Sequence, residues 1–358
     1  MALALSRRFS SVFALLHCTM LAGAVPFAGG RWKLAQEGNT GVSAMQLAVV
    51  SETKATIFDK VEANPLQMNG RPVWPAEVDL PSRTVRDLIA NTWCATGSFL
   101  SNGTFVHSAG NPFVNISQSD IGPDGRQAIR MFTPCTDASC DIIEDAQRLR
   151  LTSRRCYASS ARLVDGTIFI FGGSTDNAFI NNVTINYPSF EFFPPKNING
   201  FNGLQIPTQF MEDTVKGNHF PYTNTEVQLP RIPNGVRISS PFSASAVLLP
   251  LTQANNFTPE IMICGGSVVD DTLENQYSSQ TPASAQCARL VLTPAGIATG
   301  WKVESMPQPR PMVGLILLPD GRVLAVNEAQ TDVAGYDSTF DPVGLESNTD
   351  KPALTDAV

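Results

Sequence analysis

Ala161-Arg-Leu-Val-Asp-Gly166-Thr-Ile-Phe-Ile-Phe-Gly-Gly173 is the stretch whose reading decides the fold class. An apolar run reaches Asp-Gly, and a second run of β-branched and aromatic residues then ends in Gly-Gly. Asn-Gly and Asp-Gly supply the positive φ angles of a two-residue type I′ turn, whose twist matches the flanking strands. The phrase recurs as Ser98-Phe-Leu-Ser-Asn-Gly103-Thr-Phe-Val106 and as Leu315-Ile-Leu-Leu-Pro-Asp-Gly321-Arg-Val-Leu-Ala-Val326. Glu260-Ile-Met-Ile-Cys-Gly-Gly266 shares the Gly-Gly ending, and Phe242 to Leu251 precedes it with another apolar stretch.

Repeated strand–turn–strand units that end in Gly-Gly predict an all-β chain built from Kelch-like β-propeller blades. The Gly pair would let inner strands crowd near the axis. An ordinary β-sandwich uses the same hairpins. The spacing is irregular, and Phe190 to Asn234 holds no clear hairpin beyond the short Thr225-Glu-Val-Gln-Leu229. Composition agrees with many short strands: 16% charged residues is low, and 26 Gly and 26 Pro are many. The net charge of −7, with no basic run longer than the pairs Arg7-Arg8 and Arg154-Arg155, argues against a nucleic-acid partner.

The N-terminus reads as a secretory signal over 1–24, leaving a domain over 25–358. Arg7-Arg8 forms the positive segment, Val12 to Val25 is mostly apolar, and Ala22-Gly-Ala24 fits a small-x-small cleavage site. No later stretch has the ~18 apolar residues of a membrane span, so an exported, extracellular product free of the membrane is expected. Sequons at Asn102, Asn115, Asn182 and Asn256 fit glycosylation in that compartment. Cys18 leaves with the signal, and six cysteines remain, an even number that suggests three disulfides. Cys135 and Cys140 are close enough to clip a small loop. Cys264 and Cys287 could close the Ser/Thr/Gln-rich excursion between them. Cys94 and Cys156 are left.

Aligning the hairpins on their turn glycines exposes a pattern. Cys94 lies nine residues before Gly103, Tyr157 nine before Gly166 and Met312 nine before Gly321. Equal offsets on equivalent strands place a thiol and a phenol at similar height and, by alternation, on one face. On that reading Cys156 points the opposite way, as a small buried hydrophobe. A plain Cys94–Cys156 disulfide remains the competing arrangement. Asp141, Glu144 and Asp145 read as a solvated acidic face. Tyr336 reads as a surface residue, and His107 and His219 as ordinary polar or packing residues.

Trp93-Cys-Ala-Thr-Gly-Ser-Phe-Leu-Ser-Asn-Gly-Thr104 resembles the glyoxal oxidase segment that carries the Cys of a Tyr–Cys thioether. Arg155-Cys-Tyr-Ala-Ser-Ser-Ala-Arg-Leu-Val-Asp-Gly166 resembles the segment that carries its Tyr. Ser189-Phe-Glu-Phe-Phe-Pro194, Ile232-Pro-Asn-Gly-Val-Arg237, Cys264-Gly-Gly-Ser267 and Met306-Pro-Gln-Pro-Arg310 follow in the family's order. The resemblance implies a galactose oxidase-type propeller and a copper radical oxidase. Such an enzyme oxidises small aldehydes or primary alcohols with O2 and releases H2O2. It also implies Tyr157 as copper ligand and radical site, with Cys94 as its thioether partner. Imidazole and phenolate suit a tetragonal Cu(II) site.

The family's adjacent Tyr-His ligands and its distal His have no match, since no Tyr-His dipeptide exists and the only histidines are His17, His107 and His219. A family hairpin is also missing where Phe220-Pro-Tyr222 passes directly to Thr225-Glu-Val227. The expectation is a propeller incomplete within these 358 residues, with doubtful copper binding and no oxidase activity by itself. A small aldehyde or alcohol and O2 would be the partners of the complete enzyme, and a monomer is expected. The alternative is a non-catalytic secreted propeller that serves as a binding or structural module.

Overall fold

The computed structural model describes residues 46–58, 67–68, 71–72, 75–79, 82–85, 90–112, 114–117, 120–122, 124–135, 140–175, 184–208, 229–239, 242–270, 281–326, 330–331 and 355–357. The signal segment, His17, Asn182, His219, Tyr336 and the junction read as a missing hairpin lie outside the described residues. The chain divides into two units, one of residues 1–177 and 187–208, the other of 178–186 and 209–358.

In the first unit, three four-stranded antiparallel meanders follow one another. Sheet 1 holds β1 (Gln46–Val49) and β2 (Lys54–Phe58), then, beyond the short hairpin β3 (Gln67–Met68) and β4 (Arg71–Pro72), β5 (Pro75–Asp79) and β6 (Ser82–Val85). Sheet 2 holds β7 (Thr96–Phe99) and β8 (Phe105–Ser108). A β9 (Val114–Ser117) and β10 (Asp120–Gly122) hairpin separates them from β11 (Ile129–Phe132) and β12 (Ile142–Glu144). Sheet 3 is β13 (Ser159–Arg162), β14 (Ile168–Phe171), β15 (Ser189–Phe193) and β16 (Ile206–Pro207).

The second unit has the same plan. Sheet 4 is β17 (Ser245–Leu248), β18 (Glu260–Cys264), β19 (Gln286–Val291) and β20 (Lys302–Ser305), with the short helix α1 (Pro294–Thr299) before β20. Sheet 5 joins β21 (Gly314–Leu317), β22 (Val323–Val326) and β23 (Thr355–Ala357). The expected all-β class is what the chain forms.

The three quoted hairpins close in one way, and it is not the two-residue turn expected. Gly103, Gly166 and Gly321 take φ near +84, +82 and +84, while Asn102, Asp165 and Asp320 stay out of the left-handed region. Each glycine N–H bonds back to the leucine three residues before it, Leu100, Leu163 or Leu318. That is a three-residue loop with a left-handed Gly at its end. The Asx side chain explains the choice: Asn102 and Asp165 accept the N–H two residues on, at 3.0 and 3.1 Å, and Asp320 does so at 3.2 Å.

The Gly pairs admit close backbone approach. A Cβ on Gly173 would sit 2.5 Å from the Cys156 carbonyl, and one on Gly266 would sit 2.2 Å from that of Arg237. Gly173 and Gly266 therefore admit the backbone that leads into their own sheets, whereas a Cβ on Gly265 would sit 2.3 Å from the Arg310 carbonyl, on the backbone that leads into sheet 5.

Packing is face to face within each unit. Phe58, Phe105 and Phe132 fill the layer between sheets 1 and 2, while Val106, Ile129, Ile168 and Ile170 fill that between sheets 2 and 3. Met262, Val313, Val323 and Ala325 join sheets 4 and 5. Ile168 and Ile170 alternate with half-buried Phe169 and Phe171, so β14 turns its aliphatic face to sheet 2. Full burial of each such side chain contributes about 1.5–3 kcal/mol.

One polar row crosses all four strands of sheet 2: Gly97, His107, Arg130 and Glu144 are register partners in turn. Arg130 Nε lies 3.3 Å from Glu144 Oε1, and Arg130 Nη1 donates to His107 Nδ1 at 3.2 Å. Since arginine can only donate, His107 carries its proton on Nε2, which faces Gln46 Oε1 at 2.5 Å. The ring stacks on Phe58 with centroids 4.0 Å apart. Burial first, and the Arg130 charge second, hold His107 well below its usual pKa. Burial also brings the Arg130 guanidinium down to about 10, against the pull of Glu144.

Two outcomes are expected. Ile170→Ala should lower unfolding free energy by about 2–5 kcal/mol, read from denaturant midpoints. His107 stays neutral when folded but takes a proton when unfolded, so stability falls as pH drops below about 6.5. His107→Gln should lose less stability than wild type between neutral and mildly acid pH, and equal losses would contradict the assignment.

Candidate functional site: a thiol and a phenol at the junction of sheets 2 and 3

Cys94 and Tyr157 each stand two residues before the first strand of their sheets, β7 and β13. Both are left-handed, with φ of 58 and 57. This differs from the expected strand alternation, because neither residue is in a strand. What makes them neighbours is a backbone bond: Tyr157 N–H donates to the Cys94 carbonyl at 3.0 Å. Alongside, the Thr96 and Ser160 hydroxyls meet at 2.8 Å. Equal sequence offset does correspond to equal structural position, by this route and not by pleat parity.

The side chains meet as well. The Tyr157 hydroxyl hydrogen-bonds the Cys94 thiol and the Trp93 indole. Its pKa is raised well above the ordinary phenol value by burial first, then by the two neighbouring thiols Cys94 and Cys156, with the Trp93 bond acting the other way. Cys94 is buried, and neither it nor Cys156 is in a disulfide. Cys156 is fully enclosed and donates its S–H to Asn111 Oδ1 at 3.0 Å. It too is outside any named strand, bridged to Ser174 through both backbone groups.

A non-glycine residue at positive φ persists only where its surroundings over-determine it. Arg155, two residues before Tyr157, supplies that restraint. It is fully buried, and its Nε donates to Glu191 at 3.0 Å. Nη1 donates to the Gly172 and Ser189 carbonyls and Nη2 to the Ser189 hydroxyl. Its guanidinium also lies 4.9 Å from the centre of the Tyr187 ring. Glu191 is saturated in turn, accepting from Thr152 N–H and hydroxyl and from Ser153 Oγ. Arg130 grips the Cys94 side in the same manner, through the carbonyls of Ala90 and Asn91.

These two arginine–glutamate pairs were not singled out in the sequence. Glu144 corrects the reading of a solvated acidic run, since only Asp141 there is exposed outright while the Glu144 side chain is enclosed against Arg130. Glu191 left a usable signal: it is a carboxylate at a core-facing position of an aromatic strand, directly opposite Ile170.

The remaining sequence sites fall as follows. Cys135–Cys140 and Cys264–Cys287 are disulfide-bonded, the second across register partners of β18 and β19. Asn102 and Asn256 are exposed on turns, and Asn115 is on β9. His107 is a core residue with both ring nitrogens engaged. Among the described residues no three His, Cys, Asp or Glu side chains gather to hold a metal ion, and no helix is long and apolar enough to cross a membrane.

Removing one member of a buried ion pair strands the other charge, at a cost of about 3–5 kcal/mol. Glu191→Ala should therefore cut thermal stability sharply, whereas Asp141→Ala, at an exposed position, should change it far less. Comparable melting shifts for the two would contradict this account.

Comparison with known proteins fits this geometry. The aldehyde oxidase GLOX of Vitis pseudoreticulata is 27% identical over 87% of this chain and 62% of its own length. Aldehyde oxidase GLOX1 of Arabidopsis thaliana is 26% identical over 87% of this chain and 54% of its own. The chain thus spans little more than half the length of these relatives. A solved fungal alcohol oxidase of the AA5 family, in complex with copper, shares the fold at a TM-score of 0.52. It is 13% identical and is covered over 60% of its length by 81% of this chain. The family model for the glyoxal oxidase N-terminus matches residues 73–349, most of the chain, and the protein is a member of that family.

Proposed function

We propose that this chain supplies the radical-forming half of an extracellular copper radical oxidase on a galactose oxidase-type, Kelch-like propeller. The complete enzyme oxidises small aldehydes or primary alcohols with O2 and yields H2O2. The observation that carries this reading is the contact between the Tyr157 hydroxyl and the Cys94 thiol, within two segments that match the family phrases. Successive four-stranded meanders support the propeller. Two disulfides and the N-terminal Arg7-Arg8 plus apolar run support export.

The donor set limits what these residues do unaided. Tyr157 is the one described side chain that matches the family's ligands, and the imidazoles of a tetragonal Cu(II) site are not among the described residues. His107 is spent on Arg130 and Gln46. The described residues therefore do not fit a copper ion by themselves. Their own chemistry is the cross-link. A ring carbon ortho to the Tyr157 hydroxyl bonds to Cys94 sulfur, the ring C–H and the S–H are lost as two protons, and two electrons pass to an oxidant. The product ring, thioether-substituted, is easier to oxidise than a plain phenol.

Tryptic mapping of protein treated with two equivalents of the one-electron oxidant hexachloroiridate(IV) tests this. The peptides of Cys94 and Tyr157 should appear joined, two hydrogens lighter than their sum and resistant to thiol reductant. Recovery of two separate peptides after reduction would leave the non-catalytic secreted module as the better reading. The 358 residues alone should form no peroxide from small aldehydes with added copper, and measurable peroxide would overturn that part.

A further inference from the structure

We propose that the row Glu144–Arg130–His107–Gln46 is the positioning element for Cys94, an inference that rests on the Cys94–Tyr157 reading. Cys94 sits in a short segment, residues 90–95, that is held at both ends by this row. At the near end, Arg130 Nη2 donates to the carbonyls of Ala90 at 3.1 Å and Asn91 at 2.9 Å. The Ala90 N–H donates to the Glu144 carboxylate at 3.2 Å. At the far end, Gln46 Nε2 donates to the Ala95 carbonyl, one residue past Cys94. Gln46 is tied back to the row because its Oε1 accepts from His107 Nε2. Between the ends, Asn91 Oδ1 accepts the Trp93 N–H at 2.9 Å.

The row is a costly way to fill a core. A buried arginine–glutamate pair stabilises no more than well-packed apolar residues of the same volume. What apolar residues lack is direction. The guanidinium carries five N–H donors in a rigid fork, and here Nη2 serves the Ala90 and Asn91 carbonyls while Nη1 serves His107 Nδ1 and the Ala109 carbonyl. Neutral His107 passes that order to Gln46, from sheet 2 to sheet 1, because its Nε2 proton has one acceptor in front of it. A left-handed Cys94 between two such anchors has little freedom to swing its sulfur away from the ring. Bond formation between sulfur and the ring carbon is steeply sensitive to such swing, since displacement of a reacting atom by an ångström can cost about a hundredfold in rate.

Gln46 gives a clean test, because it is half-buried at the start of an outer strand and outside the aliphatic layer between sheets 2 and 3. Full-length wild type, Gln46→Ala and Arg130→Lys are each treated with two equivalents of hexachloroiridate(IV). The initial rate of thioether formation per folded molecule is read by mass spectrometry, with Tm measured beside it. Gln46→Ala should link about tenfold more slowly with Tm within a few degrees of wild type, and Arg130→Lys should also be slower. A Gln46→Ala rate within about twofold of wild type overturns the proposal. So does a lowered Tm with an unchanged rate per folded molecule, the mark of a role confined to folding. Failure of wild type itself to link overturns the underlying reading and this proposal with it.

Discussion

Tyr157 N–H reaches the Cys94 carbonyl at 3.0 Å, and the local architecture follows from that bond. It joins two residues that both leave the ordinary backbone regions, and left-handed backbone costs a non-glycine residue about 1–2 kcal/mol. Two such residues side by side need compensation from outside their own segments. The aliphatic layer between sheets 2 and 3 presses the sheets together but has no directional hold on a turn. Directional hold comes from guanidinium groups. Arg155 fixes the Tyr157 turn through Glu191 and the Gly172 and Ser189 carbonyls, and Arg130 fixes the Cys94 turn through Glu144 and the Ala90 and Asn91 carbonyls.

Burial makes these clamps stiff. A hydrogen bond inside a water-excluded layer is stronger than its exposed counterpart, and the same conditions make an unmade one costly. Nearly every donor of Arg155 is consumed, and Glu191 accepts from three residues. A turn held this way has a single low-energy arrangement. It can therefore hold a phenol oxygen against a sulfur without relying on the side chains themselves for rigidity.

The hairpins were legible because their signals are local. Asn-Gly and Asp-Gly between apolar runs, and Gly-Gly after the second run, report on backbone within a few residues. The equivalence of Cys94 and Tyr157 was legible too, since a repeated unit keeps its offsets. The reason offered for their meeting was wrong, as pleat parity applies only inside strands and both positions precede one. The clamps were hidden for a different reason. Glu144 lies in an acidic run and Glu191 among phenylalanines, and each becomes an arginine partner only after two or three strands have paired. A carboxylate among phenylalanines marks Glu191 as unusual, but nothing in the flanking sequence names the arginine that it pairs with.

A last comparison separates scaffold from chemistry. Ser243, two residues before β17, has φ of 38, and Met312, two before β21, has φ of 37. Together with Cys94 and Tyr157, they make sheets 2, 3, 4 and 5 alike: among the described residues, each enters its first strand through a left-handed residue. Arg155 and Arg310, each two residues earlier than Tyr157 and Met312, are both fully buried. The strained entry is thus a property of the repeat and would exist without any reaction. Chemistry depends on which side chains the repeat holds there. A hydroxyl at 243 and a thioether at 312 are inert beside a thiol and a phenol, which can lose two electrons and become one covalent group. Similar left-handed backbone with different side chains is how one scaffold serves both as a plain structural repeat and as a redox site. In this chain the distinction lies in two residues, Cys94 and Tyr157, and in the polar rows that keep them facing each other.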